Sequence, residues 1–178
     1  ATPNVSASTN LIGQGYILGV NNGKTLTNKG TITLNSTTPV ELKVLVATGA
    51  GSKAINDGTI TSKINKGIGI YASNGAQGIN NPSKTITMDG DAAFGMVGAA
   101  ADTENSGDIT ITGTSSVGMY SVETTPSKTA VNKGTITTTG AKNIGMVAEN
   151  SNIKNDTAGI IKLNNSTENV GMYSKGTT

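Results

Sequence analysis

Isoleucine and threonine alternate in short segments that recur along most of the chain. The segment has the form Gly-x-Ile-x-apolar, as at residues 30–34 and 107–111. Alternation with a period of two, and threonine between the apolar positions, are typical of a half-buried β-strand. We therefore expect one row of isoleucines to point inward. The row comprises Ile32, Ile60, Ile86, Ile109, Ile136 and Ile161.

A second apolar segment, centred on a glycine, follows each copy of the first. Examples are residues 68–72 and 117–121. The two anchors lie 11 residues apart in four copies (58→69, 84→95, 107→118, 134→145) and 12 apart in the last (159→171). The distance to the next copy varies from 12 to 16 residues. One fixed and one variable half per repeat is typical of a stacked solenoid.

The repeat length predicts an all-β fold, a parallel β-helix with coils of roughly 23–28 residues. We expect the two anchor strands to form two separate parallel sheets, with a shorter third strand and one variable loop per coil. Right-handed coiling is the usual outcome for parallel crossovers. We expect one β-helix unit over residues 1–178, with the rod itself over 16–178, clear repeats over 28–174 and less regularity over 1–27. No polar cap covers the last repeat, which is expected of a piece of a longer chain.

The first repeat indicates which way the second strand faces. An offset of 11 residues from Gly30 places Glu41 at the glycine position and Lys43 at the tyrosine position. Charged side chains are seldom buried without a partner. The glycine and tyrosine rows are therefore expected to face outward, and the Ile/Val/Phe and Met/Ile rows inward.

Asparagine and glycine mark the expected corners of each coil. Asparagines precede the first strand at Asn28, Asn56, Asn105 and Asn132, and in shifted positions at Asn81 and Asn155. They could form a ladder of amide hydrogen bonds between rungs, or supply turn geometry alone. A tight corner is predicted at Gly90, Gly113 and Gly140.

Composition narrows the class of protein. The chain is 34% apolar and 3% aromatic, which suits a solenoid built from small and β-branched residues better than a compact globule. A net charge of +2, no basic run and no arginine argue against nucleic acid as a partner. With no histidine or cysteine, the usual groups for acid–base and nucleophilic catalysis are missing. We predict a non-enzymatic protein without cofactor, metal or catalytic residues.

The motifs Asn132-Lys133-Gly134-Thr135-Ile136 and Ser116-Val117-Gly118-Met119-Tyr120-Ser121 resemble the passenger region of large autotransporter adhesins from anaerobic Gram-negative bacteria. The resemblance covers residues 28–174. It implies export through a C-terminal outer-membrane barrel outside this chain, display at the cell surface, and adhesion to host cells or other bacteria. The implied partner is a surface protein or glycan. Contact with the membrane would occur only through that barrel, and we expect the fragment itself to be monomeric.

Two alternative functions rest on particular residues. The carboxylates of Asp89 and Asp91 flank a corner glycine and could serve glycoside hydrolysis or bind Ca²⁺, or could be solvated turn residues. Outward Thr-x-Thr pairs, such as Thr59 and Thr61, could form an ice-binding face, or could simply be good polar strand formers.

The predicted binding surface combines a tyrosine row with one loop. Tyr71, Tyr120 and Tyr173 should stack beside the bare glycine row and offer flat apolar surface for a sugar, a peptide or another rod. Variable loops are expected at 46–55, 73–83, 99–106, 122–133 and 149–158. The longest gap contains Thr124, Pro126 and Lys128, so we expect this loop to protrude beside Tyr120. The alternatives are that loops cover the tyrosines, or that this segment is a spacer within a stalk.

Overall fold

The computed structural model describes residues 16–38, 41–123, 127–164 and 167–176, where every regular element is a parallel β-strand. Sheet A contains seven strands: β1 (Tyr16–Val20), β4 (Lys43–Thr48), β7 (Ile68–Ser73), β10 (Phe94–Ala99), β13 (Val117–Val122), β16 (Ile144–Glu149) and β19 (Val170–Lys175). Sheet B contains six: β2 (Thr25–Asn28), β5 (Lys53–Asn56), β8 (Gln77–Asn80), β11 (Asp102–Asn105), β14 (Thr129–Asn132) and β17 (Asn152–Asn155). Sheet C also contains six: β3 (Thr31–Leu34), β6 (Thr59–Ser62), β9 (Thr85–Met88), β12 (Asp108–Ile111), β15 (Thr135–Thr138) and β18 (Ile160–Leu163).

The chain visits sheets A, B and C in turn and then starts the next rung. Each strand from β1 to β16 therefore pairs with the strand three later in sequence, over about six turns. This confirms the predicted parallel β-helix. No helix in the described part of the chain is long and apolar enough to cross a membrane.

Sheet B supplies the predicted shorter third strand of each coil, but it corrects the expected extent of the variable loops. Sheet B runs through the segments expected to be variable loops, so the differences in length are confined to the turns on either side of its strands. Its inward row consists mostly of small residues, including Ala54, Gly78, Thr103 and Ala130. Because these positions share no large apolar side chain, their alternation leaves a weak signal in the sequence.

The isoleucine row of sheet C forms the predicted apolar stack. Ile32, Ile60, Ile86, Ile109, Ile136 and Ile161 pair in that order, rung on rung. The middle members are fully buried. Met96, Met119 and Met146 of sheet A belong to the same core and are also fully buried.

Each strand of sheet A contributes to four rows of side chains: Ile/Val/Phe, Gly, Met and Tyr. Two of these rows face the side opposite to the predicted one. A Cβ atom on Gly118 would lie 2.6 Å from the Cγ2 atom of Ile136, so this glycine faces the core. Met119 is also buried, and the strand register passes from Val117 directly to Met119. Two consecutive residues thus face inward, as they do at a β-bulge. The Met and Tyr rows lie as predicted. The Gly row faces inward and the Ile/Val/Phe row outward, contrary to the prediction.

The error arises from the first repeat. The connection over residues 35–42 is three residues longer than the equivalent connection over 63–67. Lys43 consequently pairs with Ile68, and Val44 occupies the glycine position with no exposed surface. Glu41, which was assigned to that position, lies exposed in the corner before the strand.

Asparagine side chains form a continuous ladder at the corner between sheets B and C. Each Nδ2 donates to the Oδ1 of the next rung's asparagine, at 2.8–2.9 Å, through Asn28, Asn56, Asn80, Asn105, Asn132 and Asn155. The ladder is the first of the two predicted alternatives. In the third rung its member is Asn80 rather than Asn81. The corner after sheet C also lies as expected, since a Cβ on Gly113 would overlap the carbonyl oxygen of Gly90.

A second, shorter polar ladder closes the corner between sheets C and A. The backbone N–H of Ala93 donates to Ser116 Oγ at 2.9 Å, and that of Ser116 to Asn143 Oδ1 at 2.8 Å. The N–H of Asn143 donates in turn to Asn169 Oδ1 at 2.8 Å. This ladder was not predicted from the sequence. Its signal is a polar residue two positions before the second glycine anchor of the last three repeats.

Candidate binding face

The outward side of sheet A carries two apolar rows that run along the rod, here called the outer face. The first row is Tyr16, Lys43, Ile68, Phe94, Val117, Ile144 and Val170. The second row is Gly19, Val46, Tyr71, Val97, Tyr120, Val147 and Tyr173. The surface beside the tyrosines is therefore built by aliphatic and aromatic side chains, and not by bare glycine.

Tyr120 is held in place on this face by its neighbours. Its ring centroid lies 5.6 Å from that of Phe94, with the two planes inclined at 51°. Its hydroxyl donates to Glu149 Oε2 at 2.6 Å, and Lys175 Nζ lies 2.7 Å from Glu149 Oε1. Burial and the bond to the Glu149 carboxylate raise the pKa of Tyr120. Hydrogen bonds from Lys175 and Tyr120 lower the pKa of Glu149. The phenol thus remains a neutral donor and the carboxylate remains charged.

The other two predicted tyrosines occupy the same row in different surroundings. Tyr71 is half-buried, and Lys43 Nζ lies 5.4 Å from its ring centroid, which is within cation–π range. Tyr173 lies in the last strand of the sheet and is 48% exposed. Between the tyrosines, Val97 is only 5% exposed because Tyr71 and Tyr120 flank it along the row.

The base of the predicted contact loop is fixed by a buried carboxylate. Glu123 Oε1 accepts the backbone N–H groups of Ser127 and Lys128, both at 2.6 Å. Burial opposes the charge on Glu123, but these bonds outweigh it and lower its pKa. Thr124 lies outside the described residues. Among those described, no hydrogen bond or ion pair joins Lys128 to Tyr120, and the Lys128 ammonium instead lies 3.8 Å from Asp102 Oδ2.

The carboxylates of Asp89 and Asp91, at the corner after β9, accept hydrogen bonds from the next rung. Thr112 Oγ1 donates to Asp89, while the N–H and hydroxyl of Thr114 donate to Asp91 Oδ1 at 2.9 and 3.0 Å. The backbone hydrogen bond from Thr114 lowers the pKa of Asp91. In the described ranges, no group of three or more acidic, histidine or cysteine side chains is placed to hold a metal ion.

The outward threonines of sheet C stack as predicted but not without breaks. Thr59, Thr85 and Thr135 share one row with Asp108 and Ile160. A charged and an aliphatic side chain therefore interrupt the row on the face considered for ice binding.

Comparison with known proteins gives one family assignment. A family model described as the BigA third pectate lyase-like domain matches residues 4–178. No curated protein and no solved structure matches the chain. The match agrees with a surface-exposed, adhesin-like β-helix of bacteria. The description pectate lyase-like refers to the family's domain, and the match assigns no catalytic residue to this chain.

Proposed function

Since the chain belongs to the family of BigA third pectate lyase-like domains, we propose that it is a non-enzymatic rod segment of a bacterial surface adhesin. In this proposal the adhesin is an autotransporter, anchored in the outer membrane through a region outside this sequence. The segment mediates or supports adhesion to a protein or glycan on a host cell or another bacterium.

The outer face of sheet A is the observation that supports an adhesive role. It presents Ile68, Phe94 and Val117 beside Tyr71 and Tyr120 on one side of the rod. Sheet C presents mostly threonine on its outward side. Contiguous apolar surface with aromatic side chains is typical of interaction sites on soluble proteins. We therefore assign partner binding to the outer face of sheet A.

The contacts of the acidic residues support the non-enzymatic part of the proposal. The acid pair predicted as a possible catalytic alternative, Asp89 and Asp91, accepts hydrogen bonds from Thr112 and Thr114. Glycoside hydrolysis requires two carboxyls that face one cleft with different protonation states. At this corner both carboxylates are instead engaged by threonine side chains of the next rung.

Adhesion can be tested with beads that carry the purified chain. We expect the beads to bind epithelial or bacterial cells, and Val117→Glu to reduce binding because it places a charge in the apolar row. Thr110→Glu, on the outward side of sheet C, is the matched control and should bind as the parent does. Circular dichroism must show both variants folded.

Equal binding by folded Val117→Glu and the parent would remove the outer face of sheet A from the contact surface, and absence of binding by the parent would assign the segment to a non-adhesive stalk. Cleavage of a polysaccharide by the parent chain, lost in an Asp89→Asn, Asp91→Asn double variant, would refute the non-enzymatic proposal. Lys128→Gln tests the loop separately, and unchanged adhesion in that variant would remove the loop from the contact surface.

A further inference from the structure

An open groove lies between the first row of the outer face and the corner that precedes sheet A. It encloses about 400 Å³, within the range of small-ligand sites. Ile68 and Phe94 form its apolar side. The remaining lining residues are Glu41, Lys43, Lys66, Ala92 and Ser115.

The groove exists because two small residues interrupt a row of long ones. One residue per rung at this corner adopts the left-handed conformation, with φ between 51° and 66°. The row is Glu41, Lys66, Ala92, Ser115, Lys142 and Glu168. The outer four bear long charged side chains that pair as Lys66–Glu41 and Lys142–Glu168. Ala92 and Ser115 leave an opening between them, next to Phe94.

Of the described charged side chains around this opening, some have a partner and one does not. Lys66 lies 3.6 Å from Glu41, and Asp91 at the adjoining corner is bound by Thr114. Among the described residues, no carboxylate lies within ion-pair distance of Lys43, whose ammonium rests over the ring of Tyr71. Lys43 is therefore the cation left without an anionic partner, and the groove is complementary to a ligand with one negative charge.

The backbone of the groove floor argues against a peptide as that ligand. The strands β4, β7 and β10 pair on both sides within sheet A. A peptide lying here would find no strand edge to complete its backbone hydrogen bonds, which cost free energy when buried unpaired. A sugar carries its polar groups around the ring and leaves apolar patches free to contact Ile68 and Phe94.

We propose that this groove binds a terminal sialic-acid-type sugar, which carries both a carboxylate and an N-acyl group, on a cell-surface glycan. Its carboxylate pairs with Lys43, the cation that has no anionic partner among the described residues of the groove. The acyl methyl packs on Ile68 and Phe94, and the sugar hydroxyls bond Glu41 and Ser115. The inference rests on the adhesive function proposed above, for which it names the ligand class.

Titration calorimetry of the purified chain with sialyllactose tests the assignment. We expect a dissociation constant in the millimolar range or tighter, no binding of lactose, and weaker binding as salt rises. Lys43→Gln should weaken binding by about tenfold, because it removes a charge-assisted hydrogen bond. Lys53→Gln makes the same charge change on sheet B and should bind as the parent does.

A second variant blocks the groove without disturbing its corner. Ala92→Gln places a long neutral side chain where Lys66 and Lys142 already adopt the same backbone conformation, so it should fold and lose binding. Lys142→Gln is the control, because Lys142 lies one rung beyond Ser115 in the same row and does not line the groove.

Absence of sialyllactose binding, or equal binding of lactose, would overturn the assignment. Binding of a glucuronyl disaccharide as tightly as sialyllactose would overturn the role given to the acyl group. These results do not depend on cells. A chain that adheres to cells but binds no sialyl sugar refutes only this inference, whereas one that binds the sugar but no cells refutes only the adhesive function.

Discussion

Truncation of one asparagine in the middle of the ladder should destabilise the rod far more than truncation at its end. Asn105 is fully buried, and its Nδ2 donates to Asn132 Oδ1 at 2.8 Å and to the Gly107 carbonyl at 3.1 Å. Its Oδ1 accepts from Asn80 Nδ2 at 2.8 Å. Asn105→Ala removes these bonds and a longer one to the Thr135 carbonyl, and it leaves Asn132 Oδ1 without its donor and Asn80 Nδ2 without its amide acceptor. Each buried polar group deprived of a partner costs about 1–3 kcal/mol, so the loss for the amides of Asn80 and Asn132 together is about 2–6 kcal/mol.

Asn155→Ala is the control at the last rung. Asn155 is only half-buried and makes one bond to Asn132 and one to Gly159, so water can replace the lost partner. We expect its cost to be about 1 kcal/mol. Urea denaturation followed by circular dichroism measures both values, after a check that different probes give one transition. Equal losses for the two variants, or a loss below about 1 kcal/mol for Asn105→Ala, would refute a ladder of mutually dependent bonds.

Three further perturbations test the packing and electrostatics. Thr103 Oγ1 is buried without a hydrogen-bond partner, so Thr103→Val should stabilise the chain by about 1 kcal/mol in the same assay, while Thr110→Val on the outward side of sheet C should not. Gly118→Ala should destabilise by about 1–3 kcal/mol because its Cβ would lie 2.6 Å from the Gly145 carbonyl oxygen, whereas Gly171→Ala meets open space and should be neutral. The pKa of Glu123 is lower in the folded state than in the unfolded state. The contribution of this carboxylate to the free energy of unfolding is therefore complete above the unfolded pKa of about 4.3 and declines as the pH falls below that value. In urea titrations between pH 3 and 6, Glu123→Gln should lose this part of the pH dependence. An unchanged profile would contradict a stabilising role for the bonds from Ser127 and Lys128 to Glu123.

Repeated large side chains made part of the fold predictable. Isoleucine at every second position, in register from Ile32 to Ile161, identifies both a strand and its buried side without reference to the rest of the coil. The asparagine ladder was predictable as one of two alternatives, because Asn28 and Asn56 stand at a constant distance from the next strand. Only the structure shows that their amides bond to each other.

The remaining features depend on contacts that a residue pattern does not record. Sheet B buries Ala54 and Gly78, whose small side chains are equally common in turns. In sheet A the bulge turns both Gly118 and Met119 inward, so the rule of strict alternation assigns the wrong side to Val117. The binding groove was missed for the same reason, since Phe94 was expected in the core.

Thiol labelling tests most directly whether the apolar row of sheet A faces outward. The chain contains no cysteine, so single substitutions report without background. We predict that Val117→Cys and Tyr120→Cys react with a maleimide in the folded protein, and that Met119→Cys is protected until the protein is unfolded. Protection of Val117→Cys to the same degree as Met119→Cys would mean that strand β13 alternates regularly, and would contradict the outer face on which the proposed function rests.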